Sequence, residues 1–104
     1  MVTFSEILNT LPVIDQIDTL ELINDKGAVE VIENRPGKAG SVAVYNALFQ
    51  QFGRLNSAAA QKGLELYAEH TEDARLNPGK HPNIDRLFDL INRGDELQIK
   101  IISR

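Results

Sequence analysis

The sequence predicts an α+β domain. A small three-stranded sheet, antiparallel or mixed, is packed against four or five helices in the order α-β-β-α-α-α-β. Three observations predict it. Two runs rich in Ile, Leu and Val flank the turn sequence Asn24-Asp25-Lys26-Gly27. Several longer segments repeat apolar residues at i, i+3, i+4 and i+7. The last run, residues 96–102, alternates apolar and polar residues as a strand does.

The chain opens on Thr3-Phe4-Ser5-Glu6, the form of a capping box, followed by Phe4, Ile7, Leu8 and Leu11 on one helical face. Pro12 cannot continue the helix, which should stop near Thr10. Residues 17–24 and 28–33 form the hairpin. A two- or four-residue loop sets Leu22 opposite Val29 and Leu20 opposite Val31, whereas a three-residue loop sets Leu22 opposite Glu30 and mixes the faces. The first register is preferred, at the cost of placing Glu21 opposite Glu30, a repulsion that Lys100 on an adjacent last strand would relieve.

Asn34 to Gly40 is a loop, and Ser41 is read as the N-cap of the next helix, whose apolar face is Tyr45, Leu48, Phe49 and Phe52. Gly53 suits its left-handed C-terminus. Asn56 or Ser57 caps a further helix with Ala60, Leu64, Tyr67, Ala68 and Thr71 on one stripe and Gly63 marking a close contact. Residues 71–75 read as a helical turn or a continuation, and Asn77 to Pro82 as a second loop. The last helix carries Ile84, Leu87, Phe88 and Ile91 and ends at Gly94. In this reading Leu20, Leu22, Val29, Val31, Leu97, Ile99 and Ile101 share one sheet face. Ile17, Ile23, Ile32 and Ile102 leave the other partly apolar, to be covered by the first helix or, less simply, by a second copy of the chain in a homodimer.

The chain has 104 residues, 42% of them hydrophobic, enough for one domain over 1–104 with its own core. It has no Cys, which excludes disulfides, Cys nucleophiles and thiolate metal sites. No apolar run approaches the ~20 residues needed to span a bilayer. The start has Glu6 and no basic cluster, unlike a secretion signal, so a soluble cytoplasmic protein is expected. The net charge is −4, concentrated in residues 1–34, while the remainder is slightly basic. Such a chain is a poor candidate for nucleic-acid binding, which needs a basic face.

Two stretches are unlike generic helix and loop: NRPGKAGSVAVYN, from Asn34 to Asn46, and GLELYAEHTEDARLNPGKHPNID, from Gly63 to Asp85. With them the sequence resembles, nearly end to end, a family of short bacterial proteins of unknown function. The resemblance implies a bacterial single-domain protein and carries no activity, substrate or catalytic residue.

Three places carry chemistry. In the loop Arg35 to Ser41, Pro36-Gly37 favours a type II turn and Gly40 permits close approach. A helix start flanked by Arg35 and Lys38 suits an anion. The spacing is not that of a nucleotide-binding loop, since Lys38 precedes Gly40-Ser41, and the plainer reading is an exposed turn that caps a helix. Next, Arg35-Pro36-Gly37-Lys38 is nearly repeated by Asn77-Pro78-Gly79-Lys80, which would join Arg35, Lys38 and Lys80 in a basic pocket if the loops meet. Chance reuse of a good turn is the plainer reading.

Finally, His70 and Asp73 at i, i+3, with His81, offer an acid–base or polar rim. No metal-ligand spacing is present, and an Asp73 ion pair with Arg75 or Arg86 is preferred. There is no GxSxG elbow either, so no catalytic residue, metal or cofactor is assigned. The leading reading is a non-enzymatic binding or protein-interaction module working through residues 35–41 and 70–82. The alternative is an enzyme or sensor that holds a small phosphorylated or carboxylated ligand at the Arg35–Ser41 loop.

Overall fold

In the computed structural model, which describes residues 2–104, the Thr3 hydroxyl accepts the Glu6 N–H and starts α1 (Phe4–Leu8). The hairpin follows as β1 (Ile17–Ile23) and β2 (Val29–Glu33). Four helices come next, α2 (Ala39–Phe52), α3 (Ser57–Leu66), α4 (Glu69–Leu76) and α5 (Pro82–Arg93), and β3 (Gln98–Ser103) ends the chain. The sheet is antiparallel in the order β2-β1-β3. The expected order therefore gains one helix. Ala68, at φ 52°, ψ −120°, breaks the run of helical residues and makes α4 a separate element.

The hairpin register differs from the preferred one. Leu20 pairs with Ile32, Leu22 with Glu30 and Ile23 with Val29. The cause is the turn. Asn24 N–H donates to the Ala28 carbonyl at 3.0 Å, its Oδ1 accepts the N–H groups of Lys26 and Ala28, and Gly27 takes φ +83°. This is a three-residue loop with a left-handed Gly at its end. The shift brings Ile32 into the core beside Leu20 and turns Val29 and Val31 outward, where both are exposed. It also puts Val31, not Glu30, opposite Glu21, and Lys100 lies on the other side of Glu21 as expected.

The core is Leu20, Leu22, Ile32 and Ile99 from the sheet with Val42, Tyr45, Leu48, Ile84, Leu87 and Leu90 from the helices. Gly63 sets the α3–α5 approach, because a Cβ there would stand 2.7 Å from Leu87 Cδ1 and 3.0 Å from Leu48 Cδ1. The first helix does not serve as the expected cover for the second sheet face. It packs on α2, where Gly40 admits the Phe4 ring; a Cβ at position 40 would lie 3.1 Å from it.

Candidate functional site

Pro-Gly turns and helix starts are local features, and the fold brings two of each together. Gly37 (φ +87°) and Gly79 (φ +92°) occupy the left-handed positions of their turns. The Lys38 N–H donates to the Arg35 carbonyl at 2.9 Å, and the Lys80 N–H to the Asn77 carbonyl at 3.1 Å. The near-repeat in sequence is thus a repeat in conformation. Each turn delivers a lysine and then a helix, α2 after Lys38 and α5 after His81.

Both helix starts line one cavity of about 670 Å³. Its polar wall holds Lys38, Lys80, His70, His81, Asn83 and Arg86. Its apolar wall holds Phe4, Leu8, Tyr67 and Ile84, and Val31 and Ile32 of β2 border it. Among the described residues no side chain caps α2 or α5. Nor do the N–H groups of Ala39, Gly40 and Ser41 have an acceptor among those residues, so the positive end of α2 is presented to the cavity.

The apolar wall is rigidly built. Phe4 stacks on Tyr67 with centroids 5.4 Å apart and meets His70 edge-on at 5.1 Å. The Phe4 N–H donates to Glu69 Oε1 at 2.8 Å, which ties α1 to α4 and holds the Glu69 carboxyl below its usual range. The Tyr67 hydroxyl donates to Ser41 Oγ at 2.7 Å, and burial raises its pKa far above that of a free phenol.

On the polar wall, Asp73 Oδ2 lies 2.6 Å from His81 Nε2 and 3.0 Å from Lys80 Nζ. These hydrogen bonds, from His81 first and then Lys80, hold the Asp73 carboxyl at about 2. Asp73 is therefore an acceptor only, and Nε2 of His81 is the donor of this hydrogen bond. The His81 and His70 rings are 5.8 Å apart. Arg86 donates to the Tyr45 hydroxyl, to Asn83 Oδ1 and to Glu30 Oε2, while its buried Nε has no acceptor among the described residues. Burial pushes the Tyr45 hydroxyl up to about 12, so it stays a neutral hydroxyl; it donates to the Asn83 carbonyl at 2.5 Å.

Of the residues singled out in the sequence, Lys38, Gly40, Ser41, Lys80, His70 and His81 line the cavity, and Asp73 stands behind His81 and Lys80. Arg35 does not join them. It pairs with Glu33 and lines a smaller cleft with Asn34 and Arg104. Ser41 is not the N-cap: Lys38 holds that position, and the Ser41 hydroxyl serves Tyr67 instead. The expected Asp73 pairing with Arg75 or Arg86 is replaced, since Arg75 pairs with Glu72 and Arg86 with Glu30. Sequence reasoning named Arg86 only as a partner for Asp73, and it missed both the place of Arg86 in the cavity and the Phe4–Tyr67 wall. A charge between Ile84 and Leu87 on an amphipathic helix gives no signal of its own, and aromatics at helical spacing read as packing. Among the described residues no cluster of His, Asp and Glu has the makings of a metal site, and no helix is long and apolar enough to cross a membrane.

A family model described as "Uncharacterized protein conserved in bacteria (DUF2322)" matches residues 4–101. No curated protein and no solved structure matches the chain.

Proposed function

The chain belongs to the DUF2322 family of uncharacterized proteins conserved in bacteria, and on that premise we propose that it binds a small carboxylated or phosphorylated ligand in the cavity between the starts of α2 and α5. The observation that carries the reading is convergence. Two uncapped helix N-termini, Lys38, Lys80 and Arg86 line the same 670 Å³ space. Lys80 and Arg86 already have carboxylate partners in Asp73 and Glu30. Lys38 has no ion-pair partner among the described residues, so it and the open N–H groups of α2 supply the net positive potential. The Phe4, Leu8 and Tyr67 wall favours a ligand with an apolar part beside its anionic group.

Thermal unfolding against inorganic phosphate, sugar phosphates, nucleotides and N-acetylated amino acids tests it. A binder at 100 times its dissociation constant stabilises the fold by ~2.7 kcal/mol, several degrees at this size. The shift should fall sharply in Lys38→Ala/Lys80→Ala, because each lost charged hydrogen bond costs about 1.5–3 kcal/mol. A flat panel would overturn the reading.

A further inference from the structure

Among the described residues, the cavity opens onto an unpaired sheet edge. In the β2-β1-β3 sheet, β2 is an outer strand. The bonds Asn34 N–H to Asp18 carbonyl and Asn24 N–H to Ala28 carbonyl fix which residues of β2 face β1. Counting from those pairs through the register, Glu30 and Ile32 turn their backbone groups inward, while Val29 and Val31 turn theirs to the free edge. With Ile32, Val31 is also where β2 borders the cavity. β2 has no Pro, no Lys and no bulge against β1, three of the devices that blunt an exposed edge. Its two carboxylates are already matched within the chain, Glu30 by Arg86 and Glu33 by Arg35.

We propose that the ligand is the C-terminus of an extended peptide, which adds to the Val29–Val31 edge as a further strand and seats its terminal carboxylate in the cavity beside Lys38. This rests on the anion-binding reading above and specifies its substrate class. An edge strand supplies main-chain hydrogen bonds that a free small anion cannot use. Charge complementarity selects a carboxylate for the end, since Lys38, Lys80 and the start of α2 surround it. The apolar wall of Phe4, Leu8 and Tyr67 takes the last side chain of the peptide. A strand that ran on past the edge without ending would bring no main-chain carboxylate into the cavity.

The test uses the full chain immobilised and two libraries of acetylated hexapeptides randomised over their last four positions, one with free C-terminal acids and one with amides. The acid library should be enriched at least about tenfold over the amides, tenfold being the step that ~1.4 kcal/mol of binding energy makes. Equal recovery overturns the proposal. Enriched hexapeptides are then compared with N-acetyl-leucine by calorimetry. Val31→Pro removes an outward N–H without touching the ladder to β1. It should weaken the hexapeptide at least about tenfold more than it weakens N-acetyl-leucine. Circular dichroism checks its fold, and Val29→Pro substitutes if it does not fold. N-acetyl-leucine binding as tightly as the hexapeptides would overturn the peptide proposal and leave the anion site standing. Binding of neither would overturn both.

Discussion

The Arg86 guanidinium of α5 lies 2.8 Å from the Glu30 carboxylate of β2, across 56 residues of sequence. The hairpin register makes this contact, because Glu30 pairs with Leu22 and so faces the helices rather than the open side of the sheet. The two partners are unequally placed: the Arg86 side chain is 14% exposed and that of Glu30 67%. Replacing Glu30 with Gln should therefore cost less than about 1 kcal/mol, as at other exposed pairs. Arg86→Ala should cost about 1–3 kcal/mol, because the Tyr45 hydroxyl and Asn83 also lose a donor. Urea unfolding of the two variants checks the order, and equal losses would contradict it.

The Tyr67–Ser41 hydrogen bond gives a second asymmetry. Tyr67 is buried and Ser41 half-buried. Ser41→Ala leaves a buried phenol without its acceptor and should cost about 1–3 kcal/mol, while Tyr67→Phe should cost nearer 1 kcal/mol. In the double variant the loss should be smaller than the sum of the two. Chemical denaturation of the three proteins measures this directly.

Gly63→Ala should destabilise, although Ala is the better helix former by ~1 kcal/mol. The new methyl would press on Leu87 and Leu48, both fully buried, and overpacking of this kind costs about 1–3 kcal/mol. A raised melting temperature would show that the two leucines yield.

The Asp73 contacts predict a pH effect with a definite sign. His81 and Lys80 hold the carboxyl at about 2, below its ordinary 3.8. A depressed carboxyl stabilises the fold above its unfolded value and loses that contribution as pH falls through its folded value. The stability advantage of the native chain over Asp73→Asn should therefore shrink as pH falls from about 4 to 2. A difference independent of pH across that window would contradict the assignment.

The sequence carried its local features and withheld the long-range ones. Gly37 and Gly53 take the positive φ that the turn and the helix end called for. Asn56 caps α3 as expected, its side chain accepting the Ala59 N–H. Register was harder, since it turned on whether Gly27 closed a two-, three- or four-residue loop, and the apolar pattern alone favoured the wrong one. The two Pro-Gly-Lys turns were visible separately. Their meeting at one cavity depends on how α2 and α5 pack, which no local pattern encodes. The partners of Arg86 were hidden for a related reason: Tyr45, Glu30 and Asn83 lie on α2, β2 and α5.

The central claim is that the cavity between α2 and α5 holds an anionic group at the start of α2. A ¹H–¹⁵N correlation titration with inorganic phosphate and with N-acetyl-leucine tests it most directly. The account predicts saturable shifts at the Ala39, Gly40 and Ser41 amides with either probe, while the amides of β3, on the far side of the sheet, stay in place. Shifts absent at Ala39 to Ser41 with both probes, or spread evenly over the chain, would contradict it.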